Sequence, residues 1–153
     1  MENEKSIEVL NTLIEINNDR IQGYETALNE TEESDLKALF AQFAYTSQKC
    51  KQELVGEVQK LGGTPLEGTT TSGKFFRLWM DVKAALTGKD RKAILSSCEY
   101  GEDTAVETYD NAAEKNREHL TSDQLAMITA QRGLIKADHD KVKGLRDSVL
   151  EHH

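Results

Sequence analysis

Residues 62–73, GGTPLEGTTTSG, hold the chain's single proline and four of its ten glycines. Such a stretch does not continue a helix, because glycine leaves the backbone too free and proline removes an N–H donor. Both flanks are helical in pattern. Upstream, Leu10, Leu13, Ile14, Ile21, Tyr24 and Leu28 recur at spacings of three, four and seven, the signature of one helix stripe running to about residue 31. Leu36, Leu39, Phe40, Phe43, Leu54, Val58 and Leu61 form a second stripe, with Ser34 and Asp35 expected to cap its start and Gly62-Gly63 its end. The hinge between these helices is short, so they pair antiparallel.

Beyond the glycine-rich turn, Phe75, Phe76, Leu78, Trp79, Met80, Val82 and Leu86 predict a short helix that covers an end or side of the core. A third long helix is expected from about Asp90 to Asn116. Thr121, Ser122 and Asp123 then open a fourth, whose inward positions are Ile128, Ile135, Val142 and Val149. Two antiparallel hairpins are thus joined by a connection of roughly 25 residues. A connection of that length reaches from one end of a bundle to the other and makes helices 2 and 3 parallel. The single long crossover is the ferritin-like arrangement of a four-helix bundle; an up-down-up-down bundle with an excursion at one end is the alternative. The expectation is an all-α, ferritin-like domain over residues 1–149, with LEHH at 150–153 a remnant of an expression tag.

The chain has 153 residues, 37% hydrophobic and 30% charged, with a formal net charge of −8. An acidic surface of that kind repels nucleic acid and anionic membranes, and the basic run KDRK at 89–92 is too small to reverse this. No apolar run is long enough to span a bilayer and no basic-plus-apolar leader is visible, so a cytoplasmic location is expected. Cys50 and Cys98 form no CxxC pair and are expected as buried thiols. There is no glycine-rich phosphate loop, nucleophile elbow or Ser-His-Asp arrangement, which excludes the common enzyme classes.

Helix 3 contains CEYGEDTAVETYDNAA at 98–113, with five acids in sixteen positions. At ~100° per residue, Ile94, Cys98, Ala105, Tyr109 and Ala112 set its core direction, and Glu102 falls ~30° from it. Glu99 sits at the flank, while Asp103, Glu107 and Asp110 turn to water. On helix 4 the wheel puts His139 near the apolar stripe, with Asp138 and Gln131 at its margins. Asn17 is inside the stripe of helix 1 and Glu25 at its edge, and helix 2 turns Ser47, Cys50 and Glu57 inward. A polar layer therefore crosses the core. Its buried carboxylate needs a partner, since an isolated charge there costs several kcal/mol or becomes protonated. A histidine, a second acid with a cation, or a hydroxyl would serve, and a Glu102–His139 hydrogen bond fixing helix register is the expected form. Tyr109 and Gln131 fall at matching heights and are expected to bond to each other.

Four stretches, YETAL at 24–28, FFRLWMDVKAAL at 75–86, CEYGED at 98–103 and ADHD at 137–140, together resemble a bacterial family of ferritin-like four-helix-bundle proteins carrying a domain of unknown function. The resemblance runs from about residue 5 to residue 149. It implies the ferritin-like crossover and invites comparison with di-iron carboxylate bundles, which use a Glu from each of two helices and an ExxH pair from each of the others. Here Lys136 stands where the helix 4 pair needs its Glu, and helix 2 has Ser47 and Cys50 at that spacing and no histidine. The reading is a non-catalytic binding or structural protein needing no cofactor, acting with a protein partner or with itself, self-association using a stripe of helix 1 that bears Val9 and Ile16. The alternative is a degenerate metal protein or oxidoreductase holding one divalent ion, zinc, iron or manganese, through Glu25, Glu102 and His139.

Overall fold

Helix α1 spans Glu2–Glu30 and α2 spans Ser34–Lys60. The turn between them is held locally. The Thr31 N–H donates to the Ala27 carbonyl at 3.0 Å, and the Thr31 hydroxyl accepts the Glu33 N–H at 3.3 Å. The N-cap of α2 is Glu33, in an extended conformation with no side-chain cap bond, rather than Ser34 or Asp35. Asp35 lies inside the helix, where its carboxylate accepts the Leu36 N–H at 3.0 Å and receives Arg91. A side chain one residue into a helix lies too close to its own turn to satisfy the amides a cap serves.

The end of α2 follows the expected chemistry. Gly62 has φ of 83°, and its N–H donates to Gln59 while that of Gly63 donates to Val58, the two bonds of a Schellman motif. Gly63 lies so close to Ile7 that an added Cβ would stand 2.8 Å from that side chain. Asn11 then clasps the departing chain, donating to the Thr64 carbonyl at 3.1 Å and accepting the Leu66 N–H at 2.8 Å.

The computed structural model describes residues 2–66 and 91–151, and over these the protein is an all-α four-helix bundle. Helix α3 covers Arg91–Lys115, a 3-10 turn Arg117–His119, and α4 covers Ser122–Glu151. A capping box opens α4: Thr121 accepts the Gln124 N–H at 3.1 Å, and the Gln124 side chain accepts the Thr121 N–H at 3.0 Å. The expected short helix with Phe75, Phe76 and Trp79 lies outside the described residues.

Helix directions follow from the pairings. Arg91, first in α3, binds Glu33 and Asp35 at the start of α2, so those two helices begin at the same end. Ser6, early in α1, donates to the His119 carbonyl just after α3, so α1 and α3 are antiparallel. The chain therefore leaves α2 at one end of the bundle and enters α3 at the other, which makes α2 and α3 parallel and the two hairpins, α1–α2 and α3–α4, antiparallel. Among the described residues no helix is long and apolar enough to cross a membrane.

The core is divided. One apolar cluster, with Leu10, Leu13, Ile14, Leu54, Val58, Ile128 and Ile135, fills the end near the α3–α4 turn. A second, with Tyr24, Leu36, Phe40, Phe43, Ile94, Leu95 and Val142, fills the end near the α1–α2 turn. Each fully buried Leu, Ile or Phe contributes about 1.5–3 kcal/mol. Val9 and Ile16, expected on an exposed stripe, are instead buried at 6% and 5% exposure in the first cluster. They lie just beside the main stripe of α1, and the chain's own packing closes over them.

Candidate functional site

Between the two apolar clusters lies a layer of buried polar side chains, and its centre is Arg20. The Arg20 side chain is fully buried, on the α1 stripe between Asn17 and Tyr24. Its Nε and Nη2 donate to the two carboxylate oxygens of Glu102 on α3, at 3.0 and 2.9 Å. Nη2 also reaches Asp138 Oδ2 on α4 at 3.3 Å, and Nη1 donates to the Ser47 hydroxyl on α2. The Tyr24 hydroxyl donates to Glu102, and the guanidinium lies 5.5 Å from the centre of the Tyr24 ring. One guanidinium thus ties all four helices. The bidentate geometry is what planar guanidinium and carboxylate groups favour.

One layer further along, Asn17 donates to the Leu13 carbonyl and to the Tyr109 hydroxyl, both at 2.8 Å. Tyr109 in turn donates to Gln131 Oε1 at 2.8 Å, and Gln131 donates to the Cys50 carbonyl at 3.3 Å and to Glu53 at 3.2 Å. Among the described residues Cys50 and Cys98 are buried free thiols, and burial pushes Cys50 up to about 11.

His139 does not join Glu102. It lies at the margin of the α3–α4 interface, 8% exposed, with Nε2 at 2.5 Å from Asp103 Oδ1 and 3.9 Å from Glu99 Oε1, and Nδ1 at 3.0 Å from Asp140 Oδ1. Glu99 is also bound by Arg146 from α4. Glu25 is exposed, and its carboxylate accepts a bond from Gln48 at 3.3 Å. The structure therefore brings Asn17, Ser47, Cys50, Tyr109, Gln131, Asp138 and Glu102 into the interior layers. It does not bring Glu25, Glu102 and His139 together. The stripe edge that holds Glu25 faces out beside α2, and the Glu102 carboxylate is already taken by the cation.

A family model described as a domain of unknown function (DUF2383) matches residues 5–115, more than half of the chain. The chain belongs to the DUF2383 family. None of the curated proteins compared matches it significantly. The DUF2383 match takes in Arg20, Tyr24, Ser47 and Glu102, and ends before Asp138 and His139.

The electrostatics of this DUF2383 interior centre on one buried positive charge against two carboxylates. Burial pulls Arg20 down, but Glu102, Tyr24 and Asp138 outweigh it and hold its pKa above the ordinary guanidinium value. Burial, reinforced by Glu102, pushes Tyr24 well above the usual phenol range. Burial also lifts Asp138 to about 6, with Arg20 opposing and Glu102 adding to the rise. Every partner in the layer thus favours a permanently charged Arg20 held by Glu102.

A dinuclear metal centre, which the resemblance to ferritin-like proteins brings to mind, does not fit these residues. Two cations need bridging carboxylates converging on the axis. Here a guanidinium with its own full charge holds Glu102 and Asp138, and α2 contributes a hydroxyl rather than an imidazole. Arg20 is the residue that sequence reasoning missed. Its position, three after Asn17 and four before Tyr24, places it on the same stripe, and the two inward acids call for a cation at that level.

Proposed function

We propose that this chain is a non-catalytic, ferritin-like binding or structural bundle of the bacterial cytoplasm, whose interior is closed by the Arg20 layer. The observation that supports the reading is the buried bidentate pair of Arg20 with Glu102, joined by Asp138, Ser47 and Tyr24. A catalytic interior needs open coordination or a cavity for substrate. This one is filled by a cation that makes four hydrogen bonds to the surrounding side chains. Its role is to fix the register of the four helices, since a bonded buried ion pair penalises every alternative packing that separates the partners. Such a rigid bundle presents its surface to a protein partner.

The competing reading is oxidative metal chemistry inside the bundle. Addition of Fe²⁺ to the purified protein in air tests the two. The proposal predicts oxygen consumption no faster than in buffer with free Fe²⁺. Catalytic oxygen uptake that disappears in Glu102→Gln would overturn it.

A further inference from the structure

We propose that the groove between α3 and α4 binds one divalent transition-metal ion through Glu99, Asp103 and His139. This goes beyond the interior reading and does not depend on it, because Glu99 and Asp103 flank Glu102 on the outer side of α3. One ligand atom from each of the three residues lies within 4.8 Å of the others. Glu99 and Asp103 are four apart on one helix and so lie one above the other on a common face. His139 meets them from the opposing helix, Nε2 first.

The surroundings prepare that nitrogen. At 2.5 Å the Nε2 contact with Asp103 is a hydrogen bond whose proton a metal ion would displace, and Asp140 at Nδ1 is placed to accept the ring N–H once Nε2 is a ligand. A carboxylate behind the far nitrogen is the usual support of a metal-bound imidazole, and Arg146 on Glu99 supports the ligating carboxylate in the same way. One imidazole nitrogen and two carboxylates converging within 4.8 Å are an arrangement that a cation completes. The side chains of His139 and Glu99 are 10% and 13% exposed while that of Asp103 is 59% exposed, so two ligands are shielded and the third opens to solvent. Ligands bound to one ion at about 2.0–2.2 Å lie roughly 3–3.5 Å from each other. Reaching that spacing requires the exposed Asp103 to move out slightly and Glu99, held by Arg146, to move in. One imidazole with two carboxylates, and water in the remaining positions, suits zinc, with ferrous iron and manganese held less tightly.

The test uses Zn²⁺ alone, followed by calorimetry, in the full chain carrying His152→Ala and His153→Ala so that the terminal imidazoles do not compete. One equivalent is expected to bind, and Co²⁺ in its place is expected to show visible absorption bands that shift when an imidazole ligand is removed. His139→Ala is expected to weaken Zn²⁺ binding about tenfold or more. Asp103→Asn, at a position 59% exposed, is expected to weaken it likewise, while Glu25→Gln and His119→Ala leave it unchanged. Affinity preserved within twofold in Asp103→Asn, or lost equally in His119→Ala or Glu25→Gln, would overturn the site.

Discussion

Arg20→Met is expected to lower the unfolding free energy by about 3–5 kcal/mol, the cost of leaving a buried carboxylate without its cation. Methionine fills much of the stem volume, so the loss reports charge and hydrogen bonds more than a cavity. Among the described residues Glu102 then keeps the Tyr24 hydroxyl, and Asp138 and Ser47 lose the Arg20 donors. For a chain of this length the change amounts to about 10 °C or more in Tm. The companion experiment replaces the whole layer. Buried ion clusters exchanged for apolar groups of similar volume are often neutral or stabilising. Arg20→Met combined with Glu102→Leu and Asp138→Leu is therefore expected to recover most of the loss. Urea unfolding of the parent, the single variant and the triple variant reads both outcomes, and a triple variant as unstable as the single one would assign the damage to shape rather than charge.

The second large effect lies at Asp19 and depends on pH. Asp19 is 4% exposed on α1, and burial, with Glu15 adding, raises its pKa from 3.8 to about 7. The folded chain therefore holds a proton on this carboxyl between about pH 4 and pH 7 that the unfolded chain has released. More protons bound in the folded state means that stability falls as pH rises through that window. Below pH 4 both states are protonated and the group contributes no slope. Solvent near the helix surface screens the effect, leaving about 1–2 kcal/mol lost between pH 4 and pH 8. Asp19→Asn removes the titration. It is expected to match the parent near pH 4 and to exceed it by about 1–2 kcal/mol at pH 8, in urea unfolding at the two pH values. A difference that is the same at both would contradict the assignment.

The bundle was legible because its signals are local and redundant. Stripes of three and four in α1 and α2, and the Gly62-Gly63 pair that supplies a positive φ, each specify an element without knowledge of the rest. Glu102 was also legible, because Cys98, Ala105 and Tyr109 surround it on the wheel and leave it no path to water. Arg20 was not, because an arginine read alone belongs on a surface. Only the unbalanced inward acids argue otherwise, and they lie on other helices. Margin positions were the least determined. Glu25 and His139 both lie at stripe edges, where the lean of the side chain decides its direction: Glu25 turned to solvent beside Gln48, and His139 turned toward Asp103. The α2 cap fell at Glu33 rather than at Ser34 or Asp35 because the turn bond from the Glu33 N–H to Thr31, and not a capping side chain, sets where the helix starts.

The central claim is that Arg20 is a locked interior cation. Nuclear magnetic resonance of its Nε–H group tests this directly. The account predicts a single resolved Arg20 signal that exchanges with water far more slowly than that of Arg132, whose side chain is 37% exposed and whose Nε donates to Asp110 at 2.8 Å, and that loses this protection in Glu102→Gln. An Arg20 signal exchanging as fast as that of Arg132, or one indifferent to Glu102→Gln, would contradict it.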